Sequence, residues 1–102
     1  MMAEDTIIIT IDSELADLIP GYLANRRDDI KKMILAIDSG DFDTIRVIGH
    51  QLKGSGGGYG FDFITEVGTV IEKDTKEKNY EEIKRHITAL SNYLDRLETV
   101  YE

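Results

Sequence analysis

The stretch from His50 to Gly60, HQLKGSGGGYG, determines which fold and which kind of site the sequence predicts. It holds five of the nine glycines and one of the two histidines in a chain of 102 residues. Three interpretations compete: a flexible linker, a loop that binds nucleotide phosphates, and the end of a helix followed by a turn.

Nucleotide-binding patterns do not fit these glycines. The P-loop pattern G-x-x-x-x-G-K-[ST] does not occur, and the dinucleotide pattern G-x-G-x-x-G ends on Tyr59 or Phe61 where it needs glycine. Both patterns also require a preceding strand, whereas the residues before His50 have helical spacing. A linker carries few apolar residues, and Leu52, Tyr59 and Phe61 interrupt this stretch. The end of a helix followed by a turn is the interpretation that remains.

Apolar residues recur every three to four positions in four segments after residue 12, a spacing that predicts four amphipathic helices. Asp41 and Asn79 suit the cap before the second and fourth helices, Pro20 suits the first turn of the first, and Gly40 suits a left-handed end. The predicted helices cover about residues 12–38, 41 into the glycines, 61 or 62 into the polar run 73–79, and 79 almost to the C-terminus.

Four helices with short connections predict an all-α fold, an antiparallel up-down-up-down four-helix bundle with a short leading helix. The run TIIITI at Thr6–Ile11 has the composition of a strand. No second strand is evident and a lone strand builds no sheet, so residues 1–11 are predicted to form an extended arm on the bundle. Residues 1–102 are expected to form a single domain, with the bundle over about 12–102.

Charge and composition exclude several classes of function. The net charge of −8 argues against nucleic acid or an anionic membrane as the main partner, because both need a basic surface. The absence of cysteine excludes disulfides and thiol catalysis. No apolar run has the length of a membrane span or the flanks of a signal peptide, so we expect a cytoplasmic protein.

A helical wheel for the second helix places His50 about 160° from Leu52, almost opposite the predicted core. Gly54 lies one turn further on the same exposed face, where a side chain is expected to crowd His50 and glycine leaves room for a partner. Val47 is an apolar residue on the same side, turned toward water. The sequence therefore predicts an accessible imidazole.

The charges near His50 are also unusual for this chain. Acidic residues number 20 of 102, yet none occurs from Thr44 to Phe61. This window contains Arg46 and Lys53, which flank the face that carries His50. A phosphoryl group added there is repelled least.

The run HQLKGSGGGYGF, followed by ITEVGTVIE, resembles the histidine phosphotransfer (HPt) domains of two-component phosphorelays. The resemblance is close over the second and third helices, and the run Gly56–Gly58 is richer in glycine than the family pattern. No kinase, receiver or membrane segment accompanies it, so we expect a stand-alone form. The residues that match the family motif in order are His50, Lys53, Gly54, Ser55, Gly60 and Glu72.

The resemblance implies a carrier that takes phosphate onto His50 from a receiver aspartate or a kinase and passes it to a receiver aspartate. It implies that Lys53 neutralises the phosphoryl group, that Gly54 gives access, and that the usual nitrogen is Nε2. The wheel adds Arg46 as a further phosphate-supporting cation. Gln51 is a candidate for hydrogen bonding, although the wheel turns it sideways, and Val47 is a candidate for partner contact.

The same resemblance implies partners and absences. The expected partners are receiver domains of response regulators, with a histidine kinase as a further candidate. No cofactor, metal, catalytic base or kinase activity is expected of the chain itself, and a monomer is expected.

Two other functions remain open at this point: a helical module that docks receiver or kinase domains without phosphotransfer, and, with less support, a small enzyme. His86 lies on the shoulder of the fourth apolar stripe and is predicted to be packed and hydrogen-bonded instead of phosphorylated.

Overall fold

The computed structural model describes residues 5–102, so residues 1–4 of the predicted arm lie outside the described part. Four helices account for most of the chain, as the apolar spacing predicts. Short 3₁₀ turns occupy Ser13–Leu15 and Gly57–Tyr59. In chain order the longer elements are β1 (Ile7–Ile11), α1 (Ile19–Asp38), α2 (Phe42–Ser55), α3 (Asp62–Lys76), α4 (Tyr80–Arg96) and β2 (Leu97–Tyr101).

The helices begin and end where their capping residues predict. The Asp41 carboxylate accepts a hydrogen bond from the Thr44 amide at 3.1 Å, and the Asn79 side chain accepts one from the Glu82 amide at 3.3 Å. These bonds satisfy amide groups that have no partner within the first turn of a helix. Gly40, at φ 73°, adopts the left-handed conformation just after the end of α1.

Each helix packs against its neighbours in sequence, and α1 also packs against α4. Along α2 and α3 the contacts run in opposite order, since Gly49 lies against Ile71 whereas Gly56 lies against Ile64. The enclosed core is mostly aliphatic, and its largest fully buried side chains are Phe61, Ile11, Ile19, Met33, Ile45, Leu52, Ile64, Ile71, Ile83 and Leu90.

The structure corrects the prediction for both ends of the bundle. Helix α4 stops at Arg96, and Leu97–Tyr101 forms β2, which pairs in parallel with β1 in the register Ile7↔Leu97 to Ile11↔Tyr101. The N-terminal run is therefore one strand of a two-stranded sheet, and the prediction that it has no partner strand was wrong.

Helical periodicity misassigned β2 because two patterns coincide there. Leu94, Leu97 and Tyr101 follow one another at three- and four-residue spacing, which continues the apolar stripe of α4. Two of these residues also belong to the segment LETVY, whose Thr99, Val100 and Tyr101 favour extended backbone. Pairing with β1 selects the strand over a continuation of the helix.

Within residues 5–102 no helix is both long enough and apolar enough to cross a bilayer.

Candidate functional site

His50 lies on the solvent face of α2, where the helical wheel places it. Its side chain is 67% exposed, while Leu52, on the opposite side of the helix, is fully buried. The packing of Leu52 in the core therefore fixes the rotation of α2 that presents the imidazole to solvent.

A carboxylate from α3 joins the two candidate residues of α2. Oε2 of Glu72 lies 3.2 Å from Nδ1 of His50, and Oε1 lies 3.4 Å from Nζ of Lys53. The Glu72 side chain is only 14% exposed. The predicted histidine and lysine thus share one largely covered anion, and the structure assembles a group of three residues from two helices.

The contact with Glu72 depends on a close approach of α2 and α3. A Cβ atom at Gly68 would lie 2.5 Å from the amide nitrogen of Lys53, and one at Gly49 would lie 3.1 Å from that of Glu72. Distances below about 3 Å are not tolerated between such atoms, so Gly68 is required for the two backbones to come this close. Gly49 thus lies on the inner face of α2, against α3.

The charge state of Glu72 determines which nitrogen of His50 carries a proton. Burial raises the pKa of the Glu72 carboxyl group, but the hydrogen bonds from Lys53 and His50 and the positive charge of Lys53 together outweigh it and lower the pKa below its ordinary value. An ionised carboxylate only accepts hydrogen bonds, so Nδ1 of His50 donates the proton. Nε2 of the neutral ring then holds a free lone pair toward solvent.

Two of the predicted phosphate-supporting residues are not part of this group. Nη2 of Arg46 lies 3.0 Å from Oδ1 of Asp43, so the guanidinium group pairs one turn toward the helix N-terminus. The Gln51 side chain is exposed and forms no hydrogen bond within residues 5–102. The proposed role of Arg46 therefore rests on the wheel alone, and that of Gln51 rests on its capacity for hydrogen bonding.

The surface around Nε2 is open. Val47, three residues before His50, is 43% exposed, and a Cβ atom at Gly54 would meet nothing within 4 Å. A side chain at position 54 was expected to crowd His50, but a Cβ atom there would not contact it. The surface at Gly54 is instead open space one turn after His50.

The glycine run after α2 has one strict steric requirement. A Cβ atom at Gly56 would lie 2.6 Å from the amide nitrogen of Thr65, whereas Gly57 and Gly58 have room for one. The Thr65 hydroxyl accepts a bond from the Gly57 amide at 2.8 Å and donates one to the carbonyl of Lys53 at 3.1 Å. Thr65 thus ties the end of α2 to α3, a role that no sequence pattern indicates.

The second histidine has a different environment. Nδ1 of His86 lies 2.7 Å from Oδ2 of Asp74, a buried residue at the end of α3. This agrees with the prediction of a packed, hydrogen-bonded side chain, and its 25% exposure contrasts with that of His50.

The chain resembles one family of known proteins over most of its length. The family model described as Hpt domain matches residues 17–100. No curated protein and no solved structure matches the chain.

Proposed function

The chain belongs to the Hpt domain family, and on this premise we propose that it carries a phosphoryl group on Nε2 of His50. Domains of this family take part in phosphotransfer within two-component systems, as carriers and not as enzymes, and they interact with receiver domains and kinases. The observation that supports His50 as the carrier is its hydrogen bond to Glu72, which engages Nδ1 and leaves Nε2 of a 67% exposed side chain free.

The proposed transfer step needs no general base, because Nε2 already carries a free lone pair. The lone pair of Nε2 attacks the phosphorus of an aspartyl phosphate, the new N–P bond forms, and the P–O bond breaks to release the aspartate carboxylate. The proton stays on Nδ1, so the ring becomes a positively charged phosphoimidazolium. The negative charge of Glu72 stabilises this form at hydrogen-bond distance.

Lys53 supports the phosphoryl group in this proposal. Its ammonium group is partly exposed and bonds to Glu72 over 3.4 Å, which is a long and weak contact. An arriving phosphoryl group carries more negative charge than one carboxylate oxygen, so the flexible side chain turns toward it. Transfer back to a receiver uses the same contacts in reverse.

The other predicted residues receive smaller roles. The ion pair of Arg46 with Asp43 is exposed at both ends and therefore weak, so the guanidinium group remains available for a phosphoryl group or for an acidic partner. Val47 and Gly54 form the contact surface for the receiver, and we place Gln51 at its margin.

We further propose that the described helices form an up-down-up-down bundle and that residues 1–102 act as one domain in the cytoplasm. The contact order of α2 and α3 supports the first statement. The expected receiver partners support the second.

Incubation with a phosphorylated receiver domain tests the proposal. We expect acid-labile, base-stable phosphate on the chain and on the His86→Gln variant, which serves as the matched control for losing a histidine. The His50→Gln variant should take up none. Equal labelling of His50→Gln and the unmodified chain would refute His50 as the carrier, and receiver binding without any transfer would favour a docking module.

A further inference from the structure

The two-stranded sheet leaves the backbone of β1 unpaired on one side. The Glu102 amide donates to the carbonyl of Ile11 at 3.1 Å, and the Ser13 amide donates to the carbonyl of Glu102 at 2.8 Å. In a parallel ladder alternate residues bond to the same neighbour, so odd-numbered residues of β1 bond toward β2. The N–H and C=O groups of Ile8 and Thr10 therefore point away from it, and none of them has a hydrogen-bond partner within residues 5–102.

This edge has none of the features that normally prevent pairing between molecules. Exposed edge strands are usually protected by charged side chains, proline or a bulge. The run Thr6–Ile11 contains no charge and no proline. The side chain of Ile8 also lies on the outer face of the sheet and is 62% exposed, while Ile7 and Ile9 pack against the core. The edge is apolar, regular and rich in residues that favour strands.

Charge distinguishes this edge from the one formed by β2. The chain carries a net charge of −8, so two copies repel each other except where the surface is uncharged. On β2 the outer-face position next to Val100 is Glu98, and Glu102 follows the strand. Two β2 strands would bring these carboxylates together, whereas two β1 strands bring together threonine and isoleucine.

We propose that β1 is a dimerisation edge that pairs with β1 of a second copy of this chain in antiparallel orientation, in place of the monomer expected from the sequence. The outward groups allow a two-fold register in which Ile8 lies opposite Thr10 of the partner subunit as a hydrogen-bonded antiparallel pair. In this register Asp12 lies opposite a threonine and Asp5 opposite a serine, so no two carboxylates lie directly opposite each other within residues 5–12. The resulting four-stranded sheet exceeds the three strands that a stable sheet usually needs.

A two-fold axis closes this assembly at two copies. Each β1 edge is used once, and the outer β2 edges carry Glu98, so no further copy adds to the sheet. The hydrogen bonds of His50 and Lys53 go to Glu72 on α3. Pairing of β1 leaves those contacts unchanged, so the proposal does not depend on phosphotransfer.

Sedimentation equilibrium of the full chain, from low to high micromolar concentration, tests this directly. We expect a monomer–dimer equilibrium without larger species, strengthened by added salt because salt screens the repulsion between copies. Thr10→Pro removes an outward N–H from each copy and keeps the bonds to β2. Losing two interstrand hydrogen bonds in this way should raise the dissociation constant about tenfold or more.

Thr99→Pro is the matched control, because the Thr99 N–H points outward from the other edge of the same sheet. It should leave the dissociation constant unchanged. Circular dichroism checks that each variant is folded, and Ile8→Lys, which changes only the outer face, should also dissociate the dimer. A chain that stays monomeric at all concentrations, or a dimer that is kept in both Thr10→Pro and Ile8→Lys, would overturn the proposal.

Discussion

Nδ1 of His50 and Oε2 of Glu72 lie 3.2 Å apart, across the interface between α2 and α3. The ionised carboxylate accepts a hydrogen bond from Nδ1–H, so the lone pair of the neutral ring lies on Nε2. This relationship connects the packing of two helices to the chemistry of the exposed imidazole, since the position of Glu72 depends on how closely α3 approaches α2.

Replacing Glu72 with glutamine should slow phosphoryl uptake about tenfold. This is the range typical for loss of a hydrogen-bonding carboxylate that orients a reactive histidine and increases its basicity. The amide oxygen can still accept the Nδ1 proton, but the negative charge that stabilises the phosphoimidazolium is gone. Nitrogen chemical shifts of the His50 ring should show a mixture of tautomers in the variant and the Nδ1–H form in the unmodified chain. Unchanged rates together with unchanged shifts would show that Glu72 does not position His50.

The approach of α2 and α3 should be sensitive to a single methyl group at Gly68. Its Cβ atom would lie 2.5 Å from backbone nitrogen, so Gly68→Ala should destabilise the fold by about 1–3 kcal/mol, the usual cost of overpacking. Gly58→Ala has free space and is the matched control. Urea denaturation of the two variants measures the difference, and equal midpoints would contradict the role given to Gly68.

Two substitutions at Gly54 should affect the stability of the fold and the rate of phosphoryl uptake differently. Gly54→Ala lies on an exposed helical turn with free space, so it should stabilise the fold by about 1 kcal/mol. Gly54→Leu should fill the space above His50 and slow uptake from a phosphorylated receiver while the chain remains folded. Thermal unfolding and transfer rates for both variants check this, and rapid transfer by Gly54→Leu would show that the receiver approaches from another side.

Tyr93 should limit stability in alkaline solution. Its hydroxyl group is buried without a hydrogen-bond partner in the described residues, which costs about 1–3 kcal/mol, so Tyr93→Phe should be more stable at neutral pH. Burial, followed by Asp62 and Tyr22, raises the pKa of Tyr93 from 10.0 to about 12.

The raised pKa of Tyr93 makes the fold less stable at alkaline pH. The pKa of Tyr93 is higher in the folded chain than in the unfolded chain. Ionisation of Tyr93 therefore has no effect on stability below pH 10, and it lowers the stability of the fold as the pH rises toward 12. Tyr93→Phe should therefore lose less stability than the unmodified chain across this range, as measured by urea midpoints at several pH values. A parallel decline in both proteins would contradict it.

The helices and their caps were predictable because the determining interactions are local. Asp41 and Asn79 bond to amide groups three residues away, and the spacing around Leu52 fixes which side of α2 faces solvent. The exposed position of His50 follows from that spacing alone.

Contacts between distant segments could not be derived in this way. Glu72 reaches His50 from another helix, and its register depends on the backbone approach at Gly68, which the spacing of α2 does not reveal. The strand β2 depends on pairing with β1 across almost the whole chain, so the stripe that ends in Leu97 and Tyr101 predicted a helix there. Arg46 lies on the expected face but pairs with Asp43, a competing partner one turn away.

The most direct test of the central claim is to identify the phosphorylated atom in the chain after incubation with a phosphorylated receiver. Nitrogen-15 NMR of the histidine rings distinguishes the two histidines and the two nitrogens of each ring. We predict phosphate on Nε2 of His50, with the proton retained on Nδ1 and His86 unmodified. Phosphate on Nδ1 of His50, phosphate on His86, or no phosphohistidine at all would contradict the account.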